Sequence, residues 1–78
     1  MKITVRYFAS LHERMGCDEK MLELESQLLS VDDLWQRHLA TEPLPPNILI
    51  AVNMEYARPT HVLVDGDEVA FFPPVTGG

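Results

Sequence analysis

Two glycines, Gly77 and Gly78, close a chain of 78 residues, preceded by Val75, Thr76 and the pair Pro73-Pro74. Without Cβ atoms the last two residues fit a channel only a backbone wide. The prolines hold the root of this segment extended and out of helix, and from Pro73 to Gly78 it reaches at most roughly 20 Å. The reactive group at such a tip is the α-carboxylate. With a pKa of about 3.5 it is ionised at neutral pH and inert toward nucleophiles. Chemistry there must begin with activation, most simply as an acyl-adenylate made from ATP. An amine then gives an amide, as in protein tagging; a sulfur donor gives a thiocarboxylate, as in sulfur carriage. A terminal glycine pair arises by chance in roughly one chain in two hundred, so its setting carries more weight than the pair.

The other candidate residues have local explanations. His12, His38 and His61 lack metal-ligand spacing and Cys17 has no CxxC partner, so no metal site is expected. Asp18 and Glu19 beside Cys17 disfavour a thiolate, although Arg14 and Lys20 offer opposite charge; a structural or surface cysteine is expected rather than a persulfide carrier. A lone cysteine also forbids an intramolecular disulfide. The carboxylate pairs Asp32/Asp33, Asp65/Asp67 and Asp67/Glu68 suit helix capping and turn shaping, with no general-acid role needed. Leu44-Pro45-Pro46 suits a helix-to-strand connection.

Composition narrows the class. The chain is 46% hydrophobic, enough for one modest core, and a chain this short hides only about 60% of its unfolded surface. Little remains to enclose a substrate cleft of roughly several hundred Å³, which disfavours a stand-alone enzyme. The net charge of −6 argues against nucleic acid or an anionic membrane as partner, and its scattered carboxylates suit solubility. No apolar signal region or long apolar span is present, so the cytoplasm is the expected location.

The elements that must position the tip follow from periodicity. Residues 2–8 alternate as a half-buried strand, with Ile3, Val5 and Tyr7 on one face. Ser10 and Glu13 have capping-box spacing for a short helix, which Gly16 would stop. Residues 20–25 alternate again, with Leu22 and Leu24 inward. Ser30 and Asp33 cap the main helix, Leu29 can staple onto Leu34, and Val31, Leu34, Trp35, His38 and Leu39 form one stripe before Pro43, Pro45 and Pro46 forbid continuation. Residues 48–52 read as a central strand, Asn53-Met54 as a turn with a return strand at 55–57, and 62–64 as a short extended piece. Asp65-Gly66 makes the next turn and 67–72 the last strand, ended by Pro73 and Pro74. One amphipathic helix against one mixed sheet hides both apolar faces. The expected fold is α+β, a β-grasp (ubiquitin-like) domain over residues 1–78, with a mixed sheet, one main helix on one face, a short helix after the first strand, and a flexible tail from about residue 73. In such a sheet the first and last strands are parallel neighbours. Phe8 and Phe72, both opposite in face to Val5, Val69 and Phe71, therefore meet where the tail departs, as a docking patch for a partner or as a small cluster covered by the loop of the 40s.

The stretches DGDEVAFFPPVTGG (65–78), AVN (51–53) and YFASLHERMG (7–16) closely resemble the small-subunit family of molybdopterin synthase, the ubiquitin-like sulfur carriers of molybdenum cofactor biosynthesis. The likeness runs from end to end in element order; residues 26–47 match in pattern only. The resemblance implies that an adenylyltransferase of the ubiquitin-activating type uses ATP to adenylate Gly78, and that sulfur supplied through a cysteine desulfurase route converts it to a thiocarboxylate. It implies docking on the large catalytic subunit, commonly as a heterotetramer, with Gly77 and Gly78 in that subunit's active site, and two sulfur transfers to cyclic pyranopterin monophosphate. On this resemblance no cofactor is bound, and the catalytic lysines belong to the partner. The thiamine-pathway sulfur carrier shares the fold, the AxN and DGD pieces and the glycine end, but usually lacks the short helix and the paired prolines. A ubiquitin-like protein modifier and a plain β-grasp interaction domain are the remaining alternatives.

Overall fold

The computed structural model describes residues 1–25, 28–40, 43–45 and 47–73. Strand β1, Lys2–Tyr7, follows the alternation of its sequence: Ile3, Val5 and Tyr7 are buried while Lys2 and Arg6 are exposed. The short helix α1, Ser10–Met15, begins one residue earlier than capping-box spacing predicts, with Ala9 rather than Ser10 at the N-cap. The sheet explains the shift. The Phe8 backbone N–H still donates to the Phe71 carbonyl at 3.1 Å, so Ala9 alone must turn the chain from strand to helix, and it does so at φ 53. Gly16 stops α1 in the left-handed conformation, as its lack of a Cβ allows.

Strand β2, Glu19–Glu23, returns antiparallel to β1. Helix α2, Val31–Leu34, starts at the expected capping box: the Asp33 N–H donates to Ser30 Oγ at 3.1 Å and the Ser30 N–H to Asp33 Oδ2 at 3.4 Å. Leu29 and Leu34, the expected staple pair, are both fully buried. The helix then widens into a π-turn over Trp35–Leu39, where the Ala40 N–H reaches back five residues to the Trp35 carbonyl at 2.8 Å. This corrects the expected stripe. Val31, Leu34 and Trp35 are buried, but the wider turn swings His38 out to solvent and leaves Leu39 half-buried.

Strands β3, Leu49–Val52, and β4, Glu55–Tyr56, form a hairpin, and β5, Glu68–Phe72, completes the sheet. The expected extended piece at 62–64 is a single bridge, Ser30 to Val62, backed by a hydrogen bond from the Leu63 N–H to the Leu29 carbonyl. Strand order is β2-β1-β5-β3-β4, with β1 and β5 parallel and the other pairs antiparallel. This is the mixed sheet of an α+β, ubiquitin-like β-grasp domain. Its inner face meets the main helix at Phe71, whose ring lies edge-on to Trp35 at 5.0 Å and against Tyr7 at 6.1 Å. Each large apolar side chain fully buried there contributes about 1.5–3 kcal/mol.

Candidate functional site

The site begins with the parallel register of β1 and β5. Tyr7 is level with Phe71, and the Phe8-to-Phe71 hydrogen bond carries the pairing one residue past the ladder. Alternation then turns Phe8 and Phe72 to the face away from the helix, where their rings stack at 4.7 Å with planes 10° apart. Phe8 is 40% exposed. Leu44 packs against the core cluster on the other side of the sheet. Pro73, which lacks an N–H to extend the ladder, follows at once. Val75, Thr76, Gly77 and Gly78, the expected delivery segment, lie outside the described residues.

The stacked pair forms one wall of a groove of about 560 Å³. Its floor is Ala51 and Ala70, cross-strand partners whose short side chains leave a depression between taller neighbours. The far wall is Tyr56, level with Ala51, and Met54 at the hairpin turn. Tyr56 is 82% exposed. Sequence reasoning missed this wall. The signal was available: a two-residue turn keeps register, so a residue facing outward on β3 pairs with one facing outward on β4.

One edge of the groove is polar. Arg6 Nη2 lies 3.7 Å from Glu19 and its Nε 3.4 Å from Glu68, across three strands. Both pairs are solvent-exposed, so each stabilises by less than about 1 kcal/mol. Arg6 is the one cation among the described lining residues, and two carboxylates already engage it. The groove therefore suits an apolar contact with basic groups at its edge rather than a phosphate-bearing cofactor.

The turns behind the groove interlock. Asp67, only 5% exposed, accepts from Asn53 Nδ2 and from the Val64 N–H, both at 2.8 Å. Asn53 Oδ1 accepts from the Glu68 N–H at 3.0 Å. Asp65 accepts from the Lys2 N–H, and the Gly66 N–H donates to the Lys2 carbonyl. The AVN and DGD stretches are thus one fastening that sets where β5 starts and so where Phe72 emerges. Asp67 does more than shape its own turn.

The remaining candidates are dispersed. Among the described residues no group of His, Cys, Asp and Glu is placed to hold a metal ion; His38 and His61 are exposed, and the His12 side chain lies outside the described residues. Cys17 is a half-buried free thiol. It lies near Tyr7, whose phenol is pushed up to about 12 by burial and, to a lesser degree, by Cys17. No helix among the described residues is long and apolar enough to cross a membrane.

The chain as a whole is similar to known proteins. The model of the ThiS family matches residues 5–78. The chain is 40% identical to the molybdopterin synthase sulfur carrier subunit of Chlamydomonas reinhardtii, covering 100% of both chains. It is 39% identical to the subunit of the same name in Escherichia coli K12, over 97% of this chain and 99% of the relative. Among solved structures it resembles SAMP1 from Haloferax volcanii, with a TM-score of 0.80, 29% identity and full coverage of both chains.

Proposed function

The chain belongs to the ThiS family, and on that premise we propose that it is the sulfur carrier subunit of a molybdopterin synthase, with the Gly78 carboxyl group as the site that carries sulfur. The observation that carries the reading is the end-to-end similarity to chains of that name. Physical chemistry supports the division of labour. The β-grasp body is a rigid handle, and the stacked Phe8 and Phe72 mark the edge where a narrow segment leads away.

An adenylyltransferase of the ubiquitin-activating type converts the Gly78 carboxylate to an acyl-adenylate, consuming ATP. Sulfur fed from a cysteine desulfurase as a persulfide displaces AMP. A thiol reductant cleaves the resulting acyl disulfide and is itself oxidised to a disulfide, so that the net change at Gly78 is one oxygen replaced by sulfur. ATP is thus a substrate of the activating enzyme, and this chain holds no cofactor of its own. The Phe8–Phe72 face then docks on the large catalytic subunit, with Val75, Thr76, Gly77 and Gly78 threaded into its active site. Sulfur is more polarizable than oxygen, so the thiocarboxylate attacks where the carboxylate would not. A water-poor channel on the partner protects it and holds it near the pterin carbon. Two such transfers turn cyclic pyranopterin monophosphate into the dithiolene. The residues that act on the pterin belong to the large subunit; this chain is the carrier. We place the cycle in the cytoplasm, where its ATP-dependent partner works.

The test uses purified protein, the matching activating enzyme, ATP and a sulfur donor. Intact mass should rise by one oxygen-for-sulfur exchange at Gly78, then return when the large subunit and cyclic pyranopterin monophosphate are added and dithiolene appears. Discharge only by a thiazole-forming system would assign the chain to the thiamine pathway. A lysine conjugate without sulfur uptake would make it a modifier.

A further inference from the structure

The hairpin between β3 and β4 turns on two residues at positive φ, Asn53 at 51° and Met54 at 70°. This turn geometry suits asparagine at its first position and glycine at its second. Asn53 tolerates it and is fastened by Asp67 and the Glu68 N–H. Met54 has a Cβ in the left-handed region, which is unfavourable for an L side chain. Its side chain is 94% exposed, so burial within the chain does not compensate. Among the described residues the one other non-glycine at positive φ outside this turn is Ala9, which joins a strand to a helix. The hairpin sets the backbone at Met54, but burial does not account for a methionine there in place of glycine, which points to a role outside the fold.

Met54 stands at the mouth of the groove, on the wall opposite Phe8 and Phe72. We propose that Met54 is a specificity-determining docking residue: its unbranched thioether folds over an apolar side chain of the large subunit seated on Ala51 and Ala70. Methionine suits the position because it adapts to an irregular partner surface and buries apolar area on contact. Two features favour the large subunit as occupant. Phe72 lines the groove and is followed by Pro73, the root of the segment proposed to enter that subunit. Glu19, which pairs with the groove-lining Arg6 beside Glu68, leaves that edge with one net negative charge for basic groups to meet. The inference rests on the reading that the Phe8–Phe72 face docks there.

The experiment titrates the purified large subunit from the same genome against the parent chain and four variants, with thermal midpoints measured in parallel. Met54→Gly and Met54→Asn should each weaken binding about tenfold, with midpoints equal to or above the parent's because the turn relaxes. Met54→Leu, which keeps an apolar side chain, should bind within about threefold of the parent. Phe72→Ala reports on the face as a whole. If Met54→Gly binds as tightly as the parent while Phe72→Ala is weakened, Met54 has no docking role and the face assignment survives. If neither substitution changes affinity, the face is misassigned and Met54 falls with it. A lowered midpoint in Met54→Gly would show that the methionine is compensated within the chain, and would also overturn the inference.

Discussion

Asn53 and Asp67 hold two turns against each other: Asn53 Nδ2 donates to Asp67 Oδ1 at 2.8 Å, while the other carboxylate oxygen accepts from the Val64 N–H. With Asp67 nearly buried, Asp67→Ala leaves donors with no acceptor in a place water barely reaches. The substitution should destabilise the domain by about 3 kcal/mol. Urea unfolding measures this directly, and a loss below about 0.5 kcal/mol would mean that water replaces the carboxylate at little cost.

The stacked rings should act as one unit in binding. Phe8→Ala and Phe72→Ala are each expected to weaken affinity for the large subunit by about 2 kcal/mol. Because each ring fixes the other's orientation, the double variant should lose about 1 kcal/mol less than the sum of the singles. A titration calorimetry cycle decides it; strict additivity would show that the stack is incidental.

Tyr7 gives the domain an alkaline limit. Its phenol is pushed up to about 12 by burial, with a smaller push from Cys17. The folded pKa lies above the unfolded value, so its contribution to stability is complete below about pH 10. It is lost as pH rises from about 10 through about 12, because the unfolded chain releases the proton first. Tyr7→Phe should remove this decline from a stability–pH profile. An identical profile in the variant would rule out Tyr7 as the source.

The far end of the chain should be chemically essential and structurally neutral. Adding one residue after Gly78, or deleting it, is expected to abolish ATP-dependent activation while leaving the melting temperature unchanged. Full sulfur loading of the extended chain would refute Gly78 as the carrier.

Much of the fold was legible because its signals are local. The alternation of KITVRY, the Ser30–Asp33 box and the turns at Asn53-Met54 and Asp65-Gly66 all report on neighbours a few residues away. The π-turn was not legible: WQRHL carries no signal distinguishing five-residue from four-residue hydrogen bonding, and His38 therefore landed on solvent rather than on the stripe. At the site, alternation found Phe8 and Phe72 but not the wall made by Met54 and Tyr56, which exists only once strand pairing brings them over Ala51. Asp67 looked like a turn residue because its second partner, Asn53, is distant in sequence. Gly77 and Gly78 stand out in the sequence by their position after Pro73-Pro74 and lie outside the described residues.

The parallel pairing of β1 with β5 has a kinetic consequence. During synthesis β1 finds its central neighbour only when β5 emerges, and β3 waits for the same strand. Contacts so distant along the chain form slowly, and a chain halted before Phe72 leaves the middle of the sheet unpaired. Interrupted translation products are therefore expected to remain unfolded and open to proteolysis rather than to circulate as blunt carriers that block the partner. The same strand that completes the sheet carries Phe72, so the stacked ring pair forms only in a chain whose sheet has closed.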